Sequence, residues 1–170
     1  QVRIVDVIPE AAKRYVDTMG AETGLPIVAY ASGDEAARGA DIIFTVTTAE
    51  EPLVSDASIG PGTTVVSMGS YQELDDAFVL AADRILVDSP EQCLHRGELA
   101  RLVEAGKLSA ADIDAELGDV VAGRAAGRLS PQERILAVPI GLGSLDIAIA
   151  RKVLTLALQK GQGSSFAFSD

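Results

Sequence analysis

Short runs of apolar residues alternate with amphipathic, helix-like segments along most of the chain. The runs span residues 2–7, 27–30, 41–48, 62–68, 84–89 and 133–141. Apolar runs of this length, separated by helical patterns, are typical of βαβ units whose strands lie in one parallel sheet. The pattern therefore predicts an α/β fold.

Capping residues indicate where the helices between these strands begin and end. Pro9 begins a helix that Gly20 should end. Ser89 is a strong helix start, because a proline follows it directly and a glutamine stands three residues later. Short helices are also expected over residues 33–38 and after Ser109.

The last part of the chain carries a long amphipathic helical pattern. Ser144 is the expected N-cap of this helix, and Gly161 should end it. The segment SSFAF, Ser164 to Phe168, alternates in the manner of a strand. We therefore expect a long helix followed by a short edge strand.

Composition and charge argue against several classes of protein. The 170 residues suffice for one domain with a buried core, and aromatic residues make up only 4% of them. The net charge of −11 argues against binding to nucleic acid or to anionic membranes, because both need clustered Lys and Arg. No apolar run approaches the roughly 20 residues of a membrane span.

The chain has one cysteine, Cys93, and one histidine, His95. A single cysteine excludes an internal disulfide, which fits a reducing cytoplasm. One cysteine and one histidine are too few ligands for a structural zinc centre, so no metal site is predicted.

The predicted strand ends carry residues suited to a ligand. In open parallel sheets ligands bind beyond the carboxyl ends of the strands. The first strand ends at Asp6, whose carboxylate could accept both ribose hydroxyls of an adenosine, or could serve as a turn or capping residue. Thr47, Thr48 and the Ser67 to Gly69 turn supply hydroxyl and small residues. Together these ends favour a ligand crevice over ordinary turns.

A known family shares four segments, in order and spacing, with this chain: DIIFTVTTAEEPLV, RILVDSPEQCLHRGEL, DIDAELGDVVAGRAAGR and PIGLGSLDIAIARKVL. Together they resemble the ornithine cyclodeaminase/mu-crystallin family of NAD(P)-dependent proteins. The resemblance implies a Rossmann domain beside a substrate and dimerisation domain, in members that are typically homodimers. Residues 1–140 would form a partial NAD(P)-binding Rossmann domain, and residues 141–170 would belong to the other domain.

The resemblance also implies roles for individual residues. Asp6 would bind the ribose, and Thr47 would line the dinucleotide. Ile140 and Gly141 would approach the nicotinamide and the substrate. The end of the strand before the 69–74 loop, with the first residue of that loop, would also line the cofactor: Val65, Val66, Ser67, Met68 and Gly69.

The sequence departs from the family pattern at its start. The Gly-rich turn that places a pyrophosphate on a helix N-terminus would lie just upstream of residue 1, as would the preceding substrate domain. We therefore expect the chain to be part of a longer polypeptide. In the usual strand order, 3-2-1-4-5-6, the strands at 2–7 and 41–46 would flank a missing strand and leave two unpaired edges.

A second departure follows Gly69. Many catalytic members carry Gly-x-Asp-x-Pro-Gly-Lys at this point, with the Asp as the proton-transfer group, whereas here Ser-Tyr-Gln-Glu-Leu follows the glycine. The resemblance offers Asp146, in the first turn of the last helix, as a substitute, although a carboxylate there is also favoured by the helix dipole alone. Tyr71 and His95 are further candidates, for which packing or capping is the more common role.

Two charged groups are expected to be surface features. Glu73, Asp75 and Asp76 form a short acidic run of the kind that is usually solvated. Arg124 and Arg128 would carry positive charge on a surface loop.

The implied function is that of an NAD-dependent enzyme of the ornithine cyclodeaminase type. It would transfer a hydride between nicotinamide and the amine or imine carbon of a small amino or imino acid. Asp6, with no arginine directly after it, favours NAD over NADP. The short loop after Gly69 leaves open a catalytically weakened dinucleotide-binding protein of mu-crystallin type, or a folding and oligomerisation unit without a ligand.

Overall fold

Two parallel sheets organise the chain in the computed structural model, which describes residues 1–69 and 71–166. In the smaller sheet, β1 (Val2–Ile4) pairs with β2 (Ile27–Ala29), and α1 (Pro9–Thr23) connects the two strands. The chain divides into two compact units, the first ending at Ile140 and the second beginning at Gly141.

The larger sheet has five parallel strands in the order β3-β4-β7-β5-β6. These strands are β3 (Ile42–Thr45), β4 (Thr64–Ser67), β5 (Arg84–Val87), β6 (Ala115–Glu116) and β7 (Ile135–Val138). The α/β architecture with parallel strands that the sequence predicts is therefore confirmed.

Strand β7 lies at the centre of this sheet although it comes last in the sequence. A simple 3-2-1-4-5-6 order would place β5 beside β4, but both of these strands pair with β7. All four residues of β7 are buried, and it is the strand of this sheet that has no polar residue. A fully apolar strand is stabilised most where both of its edges and both of its faces are covered.

The two unpaired strand edges that we expected are present. Within the described residues β1 pairs with β2 alone, and the edge strand β3 pairs with β4 alone. One face of β3 is also open, because Ile42, Phe44 and the following Val46 are 59%, 63% and 65% exposed.

The helices are short except at the two ends of the chain. After α2 (Gly33–Ala37), the helices of the first unit are α3 (Asp76–Ala81), α4 (Pro90–Cys93), α5 (Ala100–Glu104) and α6 (Leu117–Val121), with single 3₁₀ turns at Asp56–Ser58 and Ala110–Asp112. The second unit contains α7 (Gly143–Gln159), which is exposed along almost its whole length.

Two predicted helix boundaries were wrong. Helix α1 continues through Gly20, and Gly24 ends it in the left-handed conformation with φ of 67°. A glycine within a helix costs only about 1 kcal/mol, whereas a positive φ strains any residue with a Cβ, so Gly24 is the better stop. Helix α7 begins one residue before Ser144, with Leu142 as its N-cap and no side-chain cap.

Other predicted ends agree with the structure. The hydroxyl of Ser89 accepts a hydrogen bond from the Gln92 N–H, and that of Ser109 accepts one from the Ala111 N–H. The strand expected over residues 164–168 is not formed at residues 164–166, and its last two residues lie outside the described residues.

The main core of the first unit lies on one face of the larger sheet, beneath α3, α4 and α5. It contains side chains from β4, β5 and β7 and from these helices, including Val65, Leu74, Phe78, Val87, Leu99, Leu102, Leu136 and Val138. A smaller cluster, Leu86, Ile135 and Ala137, lies on the other face.

Arg134 joins several segments just before β7. Its guanidinium donates to the Asp56 carboxylate at 2.6 Å and to the carbonyls of Ile59 and Ala81 at 3.3 and 3.2 Å. It also lies 5.5 Å from the ring centroid of Phe78. The planar fork of an arginine is needed to make these contacts together.

Replacing Arg134 by lysine should therefore destabilise the fold. We expect Arg134→Lys to lower the free energy of unfolding by about 1–3 kcal/mol, because the ammonium group cannot reach all of these acceptors at once. Urea denaturation measures the change, with Arg14→Lys on the exposed side of α1 as the matched control. Equal destabilisation by the two substitutions would contradict this role.

Candidate functional site

The carboxyl ends of β3, β4 and β7 share one edge of the larger sheet. Thr45 at the end of β3 is the register partner of Ser67 at the end of β4, and β7 runs parallel beside β4. The turns that follow contain Thr47, Gly69 and Ile140. These residues therefore lie along the edge where parallel sheets bind their ligands.

Gly97 brings two of these turns together. A Cβ built on this glycine would lie 3.0 Å from Cγ2 of Ile140 and 3.8 Å from the carbonyl oxygen of Gly69. Gly97 also has a φ of 75°, so both its conformation and its close packing exclude a larger residue. The crevice formed by the turns after β3, β4 and β7 is thus closely packed on this side.

Two buried carboxyl groups lie directly beneath the crevice. Glu73 and Glu98 are 0% and 2% exposed, and the buried hydroxyl of Ser67 lies between them. We call Ser67, Glu73 and Glu98 the carboxyl cluster. The expectation that Glu73 belongs to a solvated acidic run was wrong, because the chain turns back into the protein after Gly69.

Glu73 accepts hydrogen bonds from the backbone of two different turns. Its Oε1 accepts from the Thr47 N–H at 2.6 Å, and its Oε2 accepts from the Gly69 N–H at 2.9 Å. These N–H groups lie beyond the paired ends of β3 and β4, so they need an acceptor other than a neighbouring strand. The buried carboxylate supplies it for both.

Glu98 in turn holds the segment that carries Glu73. Its Oε2 accepts from the Glu73 N–H at 2.9 Å, and its Oε1 from the Leu74 N–H at 3.3 Å. Burial raises the pKa of the Glu98 carboxyl, the charge of Glu73 raises it further, and the two N–H donors with the Ser67 hydroxyl act in the opposite direction.

The neighbouring acids differ from Glu73. Asp75 caps α3 by accepting from the Ala77 N–H at 3.0 Å, and Asp76 forms an ion pair with Arg101. Both are half-buried. Both have structural roles and are not part of the carboxyl cluster.

Asp6 does not end the first strand as predicted, because β1 ends at Ile4; it is exposed in the segment between β1 and α1. Its Oδ1 accepts a hydrogen bond from the Ile8 N–H at 2.8 Å, which is the turn role that the sequence left open. Beside it is an open groove of about 400 Å³ that Tyr15 and Thr18 help to line. A carboxylate has acceptor sites beyond the one used here, so its ribose-binding role stays a prediction.

The other predicted cofactor residues differ in exposure. Val65 is fully buried in the core, so its side chain lies below the crevice, whereas Met68 is 46% exposed and Thr47 is exposed. Val66 and Ile140 are half-buried.

The remaining candidates lie at the surface. Gly141 and Asp146 are exposed and belong to the second unit. Tyr71 and His95 are also exposed. Arg124 pairs with Asp119 at 2.6 Å, as expected for a surface residue.

The described part of the chain gives little support for a metal site, a reactive thiol or a membrane-spanning helix. Among residues 1–69 and 71–166 no group of three or more His, Cys, Asp or Glu side chains is placed to hold a metal ion. Burial raises the pKa of the Cys93 thiol to about 11, so it stays protonated at neutral pH and is a poor nucleophile. In the same ranges no helix has both the length and the apolar character that crossing a bilayer demands.

Gly69 should not tolerate a side chain. A Cβ at this position would overlap the carboxyl group of Glu73, which is fully buried and bonded on both oxygens. We expect Gly69→Ala to lower the free energy of unfolding by about 1–3 kcal/mol. Gly118→Ala is the control, because its Cβ would meet open space within α6 and should be neutral or stabilising. Equal effects in thermal denaturation would contradict the packing at Gly69.

Glu98→Gln should change how stability depends on pH. Because the pKa of Glu98 is raised in the folded state, its neutral form stabilises the fold fully below about pH 4, and this contribution is lost as the pH rises through the raised pKa. Glutamine cannot lose that proton. Urea denaturation at several pH values should show wild-type stability falling, relative to the variant, above about pH 4. Parallel pH profiles would contradict a raised pKa.

Known proteins share both the sequence and the fold of this chain. A Delta(1)-pyrroline-2-carboxylate reductase of Bacillus cereus is 32% identical over 173 residues, which cover 99% of this chain and 53% of the reductase. The structure of the Thermococcus litoralis Delta(1)-pyrroline-2-carboxylate reductase, in complex with NADH and L-proline, matches with a TM-score of 0.89 at 30% identity, over 96% of this chain and 52% of that one.

An archaeal alanine dehydrogenase dimer with bound NAD matches with a TM-score of 0.90 at 32% identity, over 99% of this chain and 52% of that one. The chain thus spans about half the length of the relatives it matches. These structures confirm the Rossmann-type fold. The sequence profile of the ornithine cyclodeaminase/mu-crystallin family matches residues 1–161, and the chain belongs to that family.

Proposed function

We propose that this protein transfers a hydride between NAD and the amine or imine carbon of a small amino or imino acid. The crevice at the carboxyl ends of β3, β4 and β7 carries this proposal, because it lies in a fold that binds NADH or NAD in the matched reductase and dehydrogenase. By name, one of these relatives reduces a cyclic imino acid and the other dehydrogenates an amino acid, which supports the same substrate class here.

The residues at the crevice fit a dinucleotide. Thr47 and Met68 are exposed there, so a ligand can reach the turns that follow β3 and β4. The carboxylates of Glu73 and Glu98 lie below and are bonded to backbone N–H groups. When bound, NAD supplies the hydride acceptor or donor, and these turns would hold and orient it. Asp6 would select NAD over NADP by accepting from the ribose hydroxyls.

Asp146 is the proposed proton-transfer group. Its carboxylate is exposed in the first turn of α7, and within the described residues it has no hydrogen bond or ion pair to hold it in a structural role. The described part of the loop after Gly69 contains Tyr71, Gln72 and the buried Glu73, and thus no acid that is free to exchange a proton with a substrate. An acid from another segment is therefore required.

The second unit would contribute to a substrate and dimerisation domain, in a cytoplasmic homodimer. Helix α7 supports this, because Leu145, Ile147, Ile149, Val153, Leu154 and Leu158 are all more than half exposed. Apolar side chains over a whole helix indicate a surface that is covered in the complete assembly.

The short loop favours one alternative, a dinucleotide-binding protein of mu-crystallin type with weak catalysis. In that case the crevice would bind NADH while no residue transferred the proton efficiently. A second alternative is a deamination reaction of the ornithine cyclodeaminase type. It differs from imine reduction in releasing ammonia from an amino acid, so the reaction products distinguish it.

Asp146→Ala should abolish most of the activity without weakening cofactor binding. In the natural full-length protein, NADH oxidation with pyrroline-2-carboxylate, or with pyruvate and ammonia, should fall at least about a hundredfold, because general acid catalysis contributes that much. The dissociation constant of NADH, measured by fluorescence titration, should stay unchanged.

Asp41→Ala is the matched control, because this exposed aspartate lies at the opposite end of β3 from the crevice. NADPH should turn over more slowly than NADH. Unchanged turnover in Asp146→Ala would remove this residue from the mechanism. NADH binding by the wild-type protein with no turnover of these substrates would favour the binding protein.

A further inference from the structure

One buried carboxylate links the backbone of two crevice turns. The Thr47 N–H follows β3 and the Gly69 N–H follows β4, and both donate to the same carboxyl group of Glu73. Because each oxygen accepts one of these bonds, a displacement of either turn would leave a buried acceptor without its donor. The relative position of the two turns is therefore set by Glu73.

Glu98 fixes the position of Glu73 from the helical side of the unit. It lies two residues before α5 and accepts from the N–H groups of both Glu73 and Leu74. Leu74 and Leu99, next to these acids, are fully buried in the main core. Packing and hydrogen bonds thus connect the core to the crevice turns through Glu98 and the backbone of Glu73.

The hydroxyl of Ser67 lies between the two acids. It donates to Oε2 of Glu98 at 3.1 Å, and Oε2 of Glu73 lies 3.4 Å away. This hydroxyl at the end of β4 therefore adds to the contacts that hold the two carboxyl groups beneath the turns.

We infer that Glu73 and Glu98 are positioning residues for the cofactor, because they fix the backbone of the turns after β3 and β4 from below, without contacting the cofactor themselves. The identity of the ligand rests on the proposed function, whereas the fixing of the turns rests on geometry alone. Catalysis in this fold needs the cofactor ring held closely against the substrate, so the effect should appear first in cofactor binding.

Glu73→Gln tests the inference with little change of shape. Its NH₂ group would face a backbone N–H in place of one oxygen, and so one turn would lose its acceptor. In the natural full-length protein we expect the dissociation constant of NADH to rise roughly tenfold or more. The KM for NADH should rise with it, while kcat at saturating NADH should change less than about threefold.

Glu104→Gln is the matched control, since it makes the same substitution at an exposed position of α5. It should leave NADH binding unchanged. Glu73→Gln that folds normally and binds NADH as tightly as the wild type would overturn the inference. So would a fall in kcat with no change in KM, which is the pattern of a residue that acts in the chemical step.

A measurement on the wild-type protein tests whether the two turns are fixed, even if Glu73→Gln does not fold. Amide hydrogen exchange without cofactor should show the Thr47 and Gly69 N–H groups strongly protected, because both are bonded to a buried carboxylate. The Ala49 N–H is the internal comparison, since it is bonded only to the exposed Thr47 hydroxyl and should exchange faster. Equal, fast exchange of all three groups would overturn the inference.

The two proposals fail in different ways. Wild-type protein that binds neither NADH nor NADPH would contradict the proposed function, and the exchange rates would still show whether the carboxyl cluster fixes the turns. Wild-type protein that binds NADH, with fast exchange at Thr47 and Gly69, would leave the function standing and remove the positioning role.

Discussion

The structure of the crevice depends on the burial of two carboxyl groups beneath the turns that follow β3 and β4. Moving an ionised carboxylate out of water costs several kcal/mol even after relaxation, so such a group persists only with full hydrogen bonding. Glu73 and Glu98 receive four backbone N–H bonds and share the Ser67 hydroxyl. The cost of burial is thereby offset by backbone donors, two of which lie at strand ends that would otherwise leave them unsatisfied.

This constraint extends into the packing around the cluster. Gly69 lacks room for a Cβ because the Glu73 carboxyl occupies the space beside it. Gly97 has a φ of 75° and packs closely on Ile140, so a side chain there would be strained. Gly97 directly precedes Glu98, so one short segment both supplies the second carboxyl and packs against the turn after β7. A few residues in mutual contact therefore hold the three turns of the crevice, so the effects of substitutions among them should not be additive.

Strand and helix patterns in the sequence predicted the sheet, its parallel direction and most of its elements, because these follow from apolar periodicity and capping residues. The central place of β7 was not predictable in this way, since strand order depends on contacts between distant segments. Glu73 was missed for a different reason. It stands beside Asp75 and Asp76, and local charge indicates a solvated face unless the direction of the chain is known.

The carboxyl cluster separates the fixing of the crevice turns from the proton transfer that the proposed reaction needs. After Gly69 the chain continues as Ser-Tyr-Gln-Glu-Leu, without the Asp and Lys that the family resemblance leads one to expect, and Glu73 accepts the Gly69 N–H. Fixing a turn requires acceptors beneath it, whereas moving a proton requires an ionisable group above it, exposed to the substrate. The first requirement is met by residues that the solvent does not reach. A proton-transfer group from another segment, such as the proposed Asp146, would therefore leave the hydrogen bonds beneath the crevice unchanged.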